Sequence, residues 1–534
     1  MKILVRVLGL ATLLLVVFSL PFAAYAAPSQ PTNRGGTVTF ALDREPNNLV
    51  ALATVADPTI IVSTKIHDSL VVLDADGKPK PCLATDWKFS EDGKTVTFNL
   101  RRGVKWHDGN DFTSADVAFS LMALKQFNPR GRSSLSALEK VETPDRYTAV
   151  LHLSAPIPFL LTTLCGFESP MVPAHIYATG GDVPTNPNNS NPVGTGPFRL
   201  KEWRVGSHIV LEAFPDYWDK GRPYLDSIVY RVIPDAAGVA IALETGEADL
   251  MPSGGIPQRD TDRLLKLPHL TKDEIGIVGI TAGVVRVEFN LENEYFKHLK
   301  VRQAVAHAID KEFIKKNLAA NYAIVTNSIL SPLLTPFYTP DVQLYPFDID
   351  RANKLLDEAG FPAGRNGIRF TVNHDPLPIN EVNIAIGNYL KPALRRIGID
   401  VNVRSQDMAA YLKRVYTDRD FDFINNGMNT GPDPTIGAQR LYWSKNFIKG
   451  VPFSNGSGYS NPKVDALLEA AARETNPDKR VEQWHEIQKL ISKDLPTIPL
   501  MTALRVLVYN NRVQNARISP ASIYDNFAHV WVTH

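Results

Sequence analysis

The chain has 534 residues, of which 44% are hydrophobic and 21% charged, and a formal net charge of +1. That length is enough for two or three domains with substantial cores, and the ordinary composition excludes a disordered or fibrous chain. A charge this close to neutral gives neither nucleic acid nor an anionic membrane an electrostatic claim as partner.

The chain opens with Lys2 and Arg6, an apolar run from Leu8 to Phe22, and "AAYA" at Ala23–Ala26. This order predicts a secretory signal peptide over residues 1–26, with an apolar run too short to span a bilayer. Its removal takes the net charge from +1 to about −1, because Lys2 and Arg6 leave with it. No cysteine follows the apolar run, so no lipid anchor is expected there, and no later stretch has the apolar length of a membrane helix. The expectation is an exported, soluble protein. Cys82 and Cys165 are the only cysteines; an oxidising compartment permits one bridge, and two separately buried thiols fit equally well.

After a polar lead, "TVTFAL" (37–42) is a strand by its β-branched and aromatic content. "KTVTFNL" (94–100) puts Val96, Phe98 and Leu100 on one face and Thr95, Thr97 and Asn99 on the other. "HDGND" (107–111) has the chemistry of a turn. Thr113 and Asp116 stand in capping-box relation ahead of Val117, Leu121 and Leu124 at helical spacing. "TAVLHL" (148–153) is a further strand, and short strands with Pro-rich connections dominate as far as Tyr230. Near Phe289 the character changes. "VRQAVAHAIDKEFIKKNL" (301–318) and "DIDRANKLLDEAGFP" (348–362) predict helices, the second ended by Gly360 and Pro362. "IRFTV", a helix over Ile384–Arg396, a stop at Gly398 and "IDVNV" make one βαβ unit. Two more helices follow, around "PKVDALLEAAARE" and "KRVEQWHEIQKLI", before "RVLVYNNRV" returns to strand character. A β-rich first half, an α/β second half and a strand-like tail predict a chain that leaves its first domain and comes back.

Catalytic patterns fail one by one. His107–Asp108 invites an acid/base reading, yet turn chemistry and capping account for every residue around it. His485–Glu486 has no second histidine four residues on, so the zinc-protease pattern is not met. There is no G-x-S-x-G elbow, phosphate-binding glycine loop or dinucleotide fingerprint, and neither cysteine has a metal-ligand neighbour at useful spacing. No catalytic residue, metal or cofactor is expected. One stretch resists a purely structural account, "NGMNTGPDPTIGAQRLYWSKN" (426–446). Its glycines and prolines break regular structure, while Asn429, Thr430, Asp433, Arg440, Tyr442 and Trp443 line an irregular backbone as ligand clefts are lined. Asp433 can instead cap a short helix that starts at Pro434.

Six segments occur in a family order: "LATDWKFSEDGKTVTFNLRRGVKWHDGNDFTSADVAFSL" from Leu83, "NPVGTGPFRLKEW" from Asn191, "YWDKGRPYLDSIVYRVIPD" from Tyr217, "ALETGEADL" from Ala242, "VRQAVAHAID" from Val301 and "YSNPKVDALLEAA" from Tyr459. Over nearly the whole mature chain the sequence resembles the extracellular solute-binding proteins of family 5, the peptide- and nickel-binding class that serves ABC importers. The resemblance implies an α/β, two-lobed periplasmic binding protein (type II, large peptide-binding subclass). Lobe one would span 27–285, with an extra subdomain in 76–190, and be completed by 505–534. Lobe two would span 286–504, joined to lobe one by two crossing segments. It further implies a monomer that captures a peptide or small polar metabolite and delivers it to transmembrane permease subunits with a cytoplasmic ATPase, without catalysis. An exported hydrolase of peptides or glycans is the alternative.

Peptide-binding members of the family place an aspartate where this chain has Thr430, and dipeptide binders place an arginine in the strand where His374 is the nearest candidate. Both departures turn the expectation toward a modified peptide, an opine-like or sugar-containing compound, or another polar metabolite. Arg440 and Arg286 can grip a carboxylate or phosphate bidentately, though Arg286 can equally be paired near the interlobe crossing. Tyr442 and Trp443 can stack on a ring. Asp57, in "ATVADPTI", is either a lobe-one ligand contact or a helix cap before Pro58.

Overall fold

The computed structural model describes residue 31 and residues 34–533, apart from 180, 253–254, 277–280, 282 and 380. The expected signal peptide over 1–26 lies outside the described residues.

Lobe one is built on a four-stranded sheet in the order β1–β10–β9–β8: β1 (Thr37–Leu42), β8 (Phe198–Arg204), β9 (His208–Ala213) and β10 (Ser227–Val232). β1 runs parallel to β10 and the other pairings are antiparallel. Helix α1 (Asp57–Ile66) ends where the loop "VGTGPF" crosses it. A Cβ on Gly194 would stand 1.8 Å from the Ile66 carbonyl oxygen, so only glycine permits this crossing. His107 fastens the same loop, its Nε2–H donating to the Gly196 carbonyl (3.0 Å) while Nδ1 accepts from the Gly194 N–H (3.2 Å). Burial pushes the His107 imidazole down to about 4, so it is neutral and structural.

An antiparallel sheet stands beside this core, in the order β4 (Ala84–Phe89), β5 (Thr95–Leu100), β7 (Thr148–Leu153) and β6 (Leu138–Asp145). The alternation read in the sequence is present: Val96, Phe98 and Leu100 are buried, and so are Ala149, Leu151 and Leu153 opposite them. Helix α2 (Ser114–Phe127) covers that face, its start fixed by a reciprocal Thr113–Asp116 capping box.

Two short strands, β2 (Val71–Leu73) and β3 (Pro79–Pro81), place the cysteines. The Cys82 N–H bonds to the Leu70 carbonyl on one side of β2, while Cys165 bridges Val71 on the other. Two strand spacings, about 9.5 Å, exceed the roughly 7 Å over which Cα atoms can be joined by a disulfide. Both thiols are accordingly free and buried.

Lobe two carries a six-stranded mixed sheet in the order β13–β17–β12–β16–β14–β15. Its central strands are β12 (Val284–Phe289), β16 (Phe423–Met428) and β17 (Thr497–Ala503), with β12 antiparallel to the other two, which flank it. The outer strands are β13 (Ala323–Val325), β14 (Phe370–Pro376) and β15 (Ile399–Val403), and β14 is parallel to both β15 and β16. One face packs on helices α3 (Leu299–Ala308), α4 (Ile349–Glu358) and α5 (Glu381–Arg395), with Val287, Phe289, Val305, Leu356 and Leu390 in a shared core. The other face meets α6 (Pro462–Ala471) and α7 (Pro477–Asp494), whose Leu468, Trp484 and Ile487 form a second core with Leu441 and Tyr442.

The helix expected over 301–318 is corrected. It stops at Ala308, Ile309 is extended, and Asp310 starts a new turn by accepting the Phe313 N–H at 2.9 Å. An aspartate side chain that bonds backbone ahead of it competes with continuation of the helix.

The chain crosses between the lobes twice, after β11 (Leu270–Asp273) and before β18 (Leu507–Asn510), and these two strands pair with each other in lobe one. Val506–Val532 then join the lobe-one core.

Candidate functional site

The loop that follows β16 starts at the crossing and ends on the rim of lobe two. Thr430 and Gly431 donate their N–H groups to the Thr281 carbonyl of the crossing segment (3.1 and 3.3 Å). A Cβ on Gly283 would stand 3.1 Å from the Asn429 side-chain oxygen. Asn429 is exposed, whereas Thr430 is fully buried. Gly437 folds the loop back so tightly that a Cβ there would lie 2.2 Å from the Thr430 carbonyl carbon, which forces glycine.

Asp433 is committed twice within the protein. One oxygen accepts the Thr435 N–H at 2.9 Å and caps the short helix Pro434–Gly437. Both oxygens also take the Arg480 guanidinium, at 2.5 and 2.7 Å, in a pair whose side chains are each 6% exposed. Arg480 completes its bonding with Thr435 Oγ1 (2.7 Å) and the Ala471 carbonyl (2.8 Å). The capping reading of Asp433 therefore describes its geometry, with an arginine from α7 added.

A polar seam runs behind the loop. Val285, Val287 and Phe289 of β12 face the helical core, which leaves Arg286 and Glu288 together on the opposite face. Arg286 bonds Glu288 at 3.1 Å, and Asn426 donates to the same carboxylate at 2.9 Å. Tyr442 closes the seam, its hydroxyl bonded to Thr497 Oγ1 (3.0 Å) and its ring 5.9 Å from the Arg286 guanidinium. Arg286 and Tyr442 are 2% and 1% exposed, so both are interior residues.

Arg440 differs from these. It is half-buried, its Nε–H donates to the Gly437 carbonyl (3.1 Å), and no carboxylate among the described residues lies within ion-pair distance of it. Burial and the neighbouring Arg286 charge press its guanidinium below the usual range, but arginine stays charged. Glu288 answers Arg286 alone, and the charge of Arg440 on the loop has no carboxylate partner among the described residues.

Three expectations meet a different geometry. The Trp443 indole donates to Glu469 of α6 at 3.1 Å and carries Lys445 over its ring at 5.3 Å, so it packs on the outer helix layer. His374 is fully buried, stacked on Phe423 (4.4 Å between centroids), with its Cε1 3.2 Å from where a Gly387 Cβ would stand in α5. Its place is between sheet and helix, and burial holds its pKa down to about 3, so it is neutral. Asp57 is the first residue of α1; the N-cap is Ala56 and makes no side-chain bond. The cap reading of Asp57 is therefore corrected. Its half-exposed carboxylate accepts the Tyr524 hydroxyl at 2.8 Å and favours the positive helix end.

Sequence reasoning missed Arg480 and Glu288, although both leave a trace. Arg480 occupies the buried stripe of α7 that continues with Trp484, Ile487 and Ile491. Arg286 and Glu288 sit two apart in a strand buried along its whole length.

Residues 78–450 match the model of the bacterial extracellular solute-binding proteins, family 5 Middle. The chain belongs to this family. A Brucella ovis protein named as an ABC transporter peptide-binding protein is 30% identical, over 94% of this chain and 95% of its own length. The crystal structure of the ABC transporter substrate-binding protein CtaP from Listeria monocytogenes superposes with a TM-score of 0.81 at 26% identity, covering 94% of this chain and all of that one. The binding protein AgaA from A. tumefaciens R10, solved with agropinic acid, gives 0.72 at 27% identity, over 93% and 99% of the two chains. The two-lobed fold of this binding protein is that of its family. The family is one of solute binding and lends no support to an exported hydrolase. No helix among the described residues is long and apolar enough to cross a membrane, and none of their His, Cys, Asp and Glu side chains form a group that could hold a metal ion.

Proposed function

We propose that this binding protein is the periplasmic receptor of an ABC importer, exported by a cleaved signal peptide and monomeric. It captures a small anionic solute between its lobes, delivers it to the permease and its cytoplasmic ATPase, and performs no turnover. The solute class is peptide-like or opine-like acids. The observation that carries this reading is Arg440: a half-buried guanidinium without a carboxylate partner, beside a second arginine, on the irregular loop that starts at the interlobe crossing. A buried cation is stable when an anion completes its bonding, and a bidentate carboxylate suits a guanidinium. The ligand's acid group then meets Arg440, with Asn429 and Thr430 at the crossing end of the loop and Asp57 as the lobe-one contact. A neutral Thr430 favours a ligand without a free α-ammonium at that point. The relatives support the class, since their names speak of peptide binding and of agropinic acid.

Native mass spectrometry of the protein as purified identifies any retained solute. Calorimetry then compares acidic di- and tripeptides and an opine-type acid with their amidated counterparts. The acids are expected to bind at least about tenfold more tightly than the amides, the difference one charge-assisted hydrogen bond makes, and Arg440→Gln is expected to erase that preference. Equal affinity for acid and amide refutes the role of Arg440, and hydrolysis of any of these compounds refutes the receptor reading.

A further inference from the structure

Opposite the two crossing segments, the lobes touch along one rim. The β4–β5 turn of lobe one brings Gly93 so close to lobe two that a Cβ there would lie 3.2 Å from the Thr475 methyl, in the turn between α6 and α7, and 3.2 Å from Pro156. At the fourth residue of α7, the guanidinium of Arg480 faces the ring of Phe159 from lobe one, 6.0 Å from its centroid, with Phe337 of lobe two 5.0 Å away. This is the same Arg480 that pins Asp433 in the solute loop.

We infer that Arg480 is a positioning residue that couples order in the 429–443 loop to closure of the lobes, with Phe159 as its lobe-one counterpart. Four of the five N–H groups of Arg480 are taken within lobe two, by Asp433, Thr435 and Ala471, and what it turns to the Phe159 ring of lobe one is its planar face. An aromatic ring over that face gains attraction without breaking any of those bonds, and a desolvated cation–π contact is the type that persists in a closed interface. The contact exists only when the lobes meet. It forms at full strength only when the Asp433 cap holds the guanidinium in place. A solute that orders the loop thereby favours the closed state through Arg480, a differential contact of the kind a population shift requires. The inference rests on the receptor reading for its meaning, but the geometry of closure is measurable without any solute.

The test is a cross-link. Gly93→Cys with Thr475→Cys puts one thiol on each side of this contact, in protein whose own cysteines are buried; because Gly93 has a φ of +65°, urea unfolding first establishes that the pair variant is folded. In full-length, solute-free protein the bridge is expected to form on mild oxidation. Phe159→Ala in that background is expected to lower the cross-linking rate about five- to thirtyfold, the range of a desolvated cation–π contact. Phe159→Tyr, which keeps the π face, restores it, whereas Phe159→Leu, which keeps only apolar bulk, does not. Asp433→Asn, which frees the guanidinium while keeping the cap, is expected to slow the reaction as well. A rate unchanged in Phe159→Ala, or equal rescue by leucine and tyrosine, overturns the latch. Absence of any cross-link in the parent pair overturns the rim contact itself. Failure of calorimetry to find an acidic solute leaves these rates untouched and counts only against the function proposed above.

Discussion

Arg480→Met removes the charge of the buried pair and keeps most of the stem. The guanidinium has four acceptors, the two Asp433 oxygens, Thr435 Oγ1 and the Ala471 carbonyl. After the change the Asp433 carboxylate is left with the Thr435 N–H, at a site where it is 5% exposed. Breaking a buried ion pair by removing one partner costs about 3–5 kcal/mol, because the other charge stays desolvated and unpaired. Asp433→Asn keeps an acceptor for the cap but turns an amide N–H₂ toward the arginine, at a cost of about 2–4 kcal/mol. In the double variant neither uncompensated charge remains, so its cost falls short of the sum by at least about 2 kcal/mol. Urea unfolding followed by tryptophan fluorescence reads this, since Trp443 and Trp484 both pack in the cluster beneath the loop. An Arg480→Met protein within about 1 kcal/mol of the parent, or strictly additive single effects, refutes the claim that the pair holds the loop.

Trp443→Ala loses the bond to Glu469 and half-buried packing on α6, so it is expected to destabilise by about 1–3 kcal/mol while solute affinity changes less than about threefold; a tenfold loss in calorimetry returns Trp443 to the cleft. His374 has a folded pKa of about 3, below its unfolded value of 6.5. The unfolded chain therefore takes that proton first, and the penalty grows as pH falls from 6.5 toward 3 by about 1.4 kcal/mol per unit. His374→Phe is expected to flatten stability against pH in this window by up to one proton, and an unchanged slope refutes the neutral, buried assignment. Burial raises the pKa of both Cys82 and Cys165, so a thiol reagent is expected to find neither in the native protein and both in denaturant. A Cys82–Cys165 bridge in a non-reducing peptide map contradicts the strand geometry.

Local rules carried the sequence reading wherever the cause is local. The Val96–Phe98–Leu100 face, the Thr113–Asp116 box, the Gly360 stop and the parallel β14–α5–β15 unit each depend on residues a few positions apart. The loop was legible as irregular and chemically mixed, but the direction of its side chains was not. Asp433 is claimed by an arginine 47 residues further on, and Trp443 by a glutamate 26 residues on. No periodicity announces such pairs. Arg286 stayed open between ligand and structural pairing because its counter-charge, Glu288, reads as one more polar residue of a strand until both faces of β12 are seen to be covered. Arg440 stands out only by subtraction, as a loop arginine for which no carboxylate among the described residues lies within ion-pair distance.

The pairing of β11 with β18 has a kinetic side. These strands lie more than two hundred residues apart in the chain, with the whole of the six-stranded sheet between them. Leu270 and Leu264 cannot find Leu507 and Val508 until the last thirty or so residues are available, and contacts of such separation form late and slowly. Lobe two, by contrast, has all its strands between residues 284 and 503 and needs nothing from either end. The middle of the molecule can therefore be finished while the lobe that holds both ends of the described chain is still open, and a chain that stops before Val506 would present an unpaired β11 edge and an uncovered apolar floor.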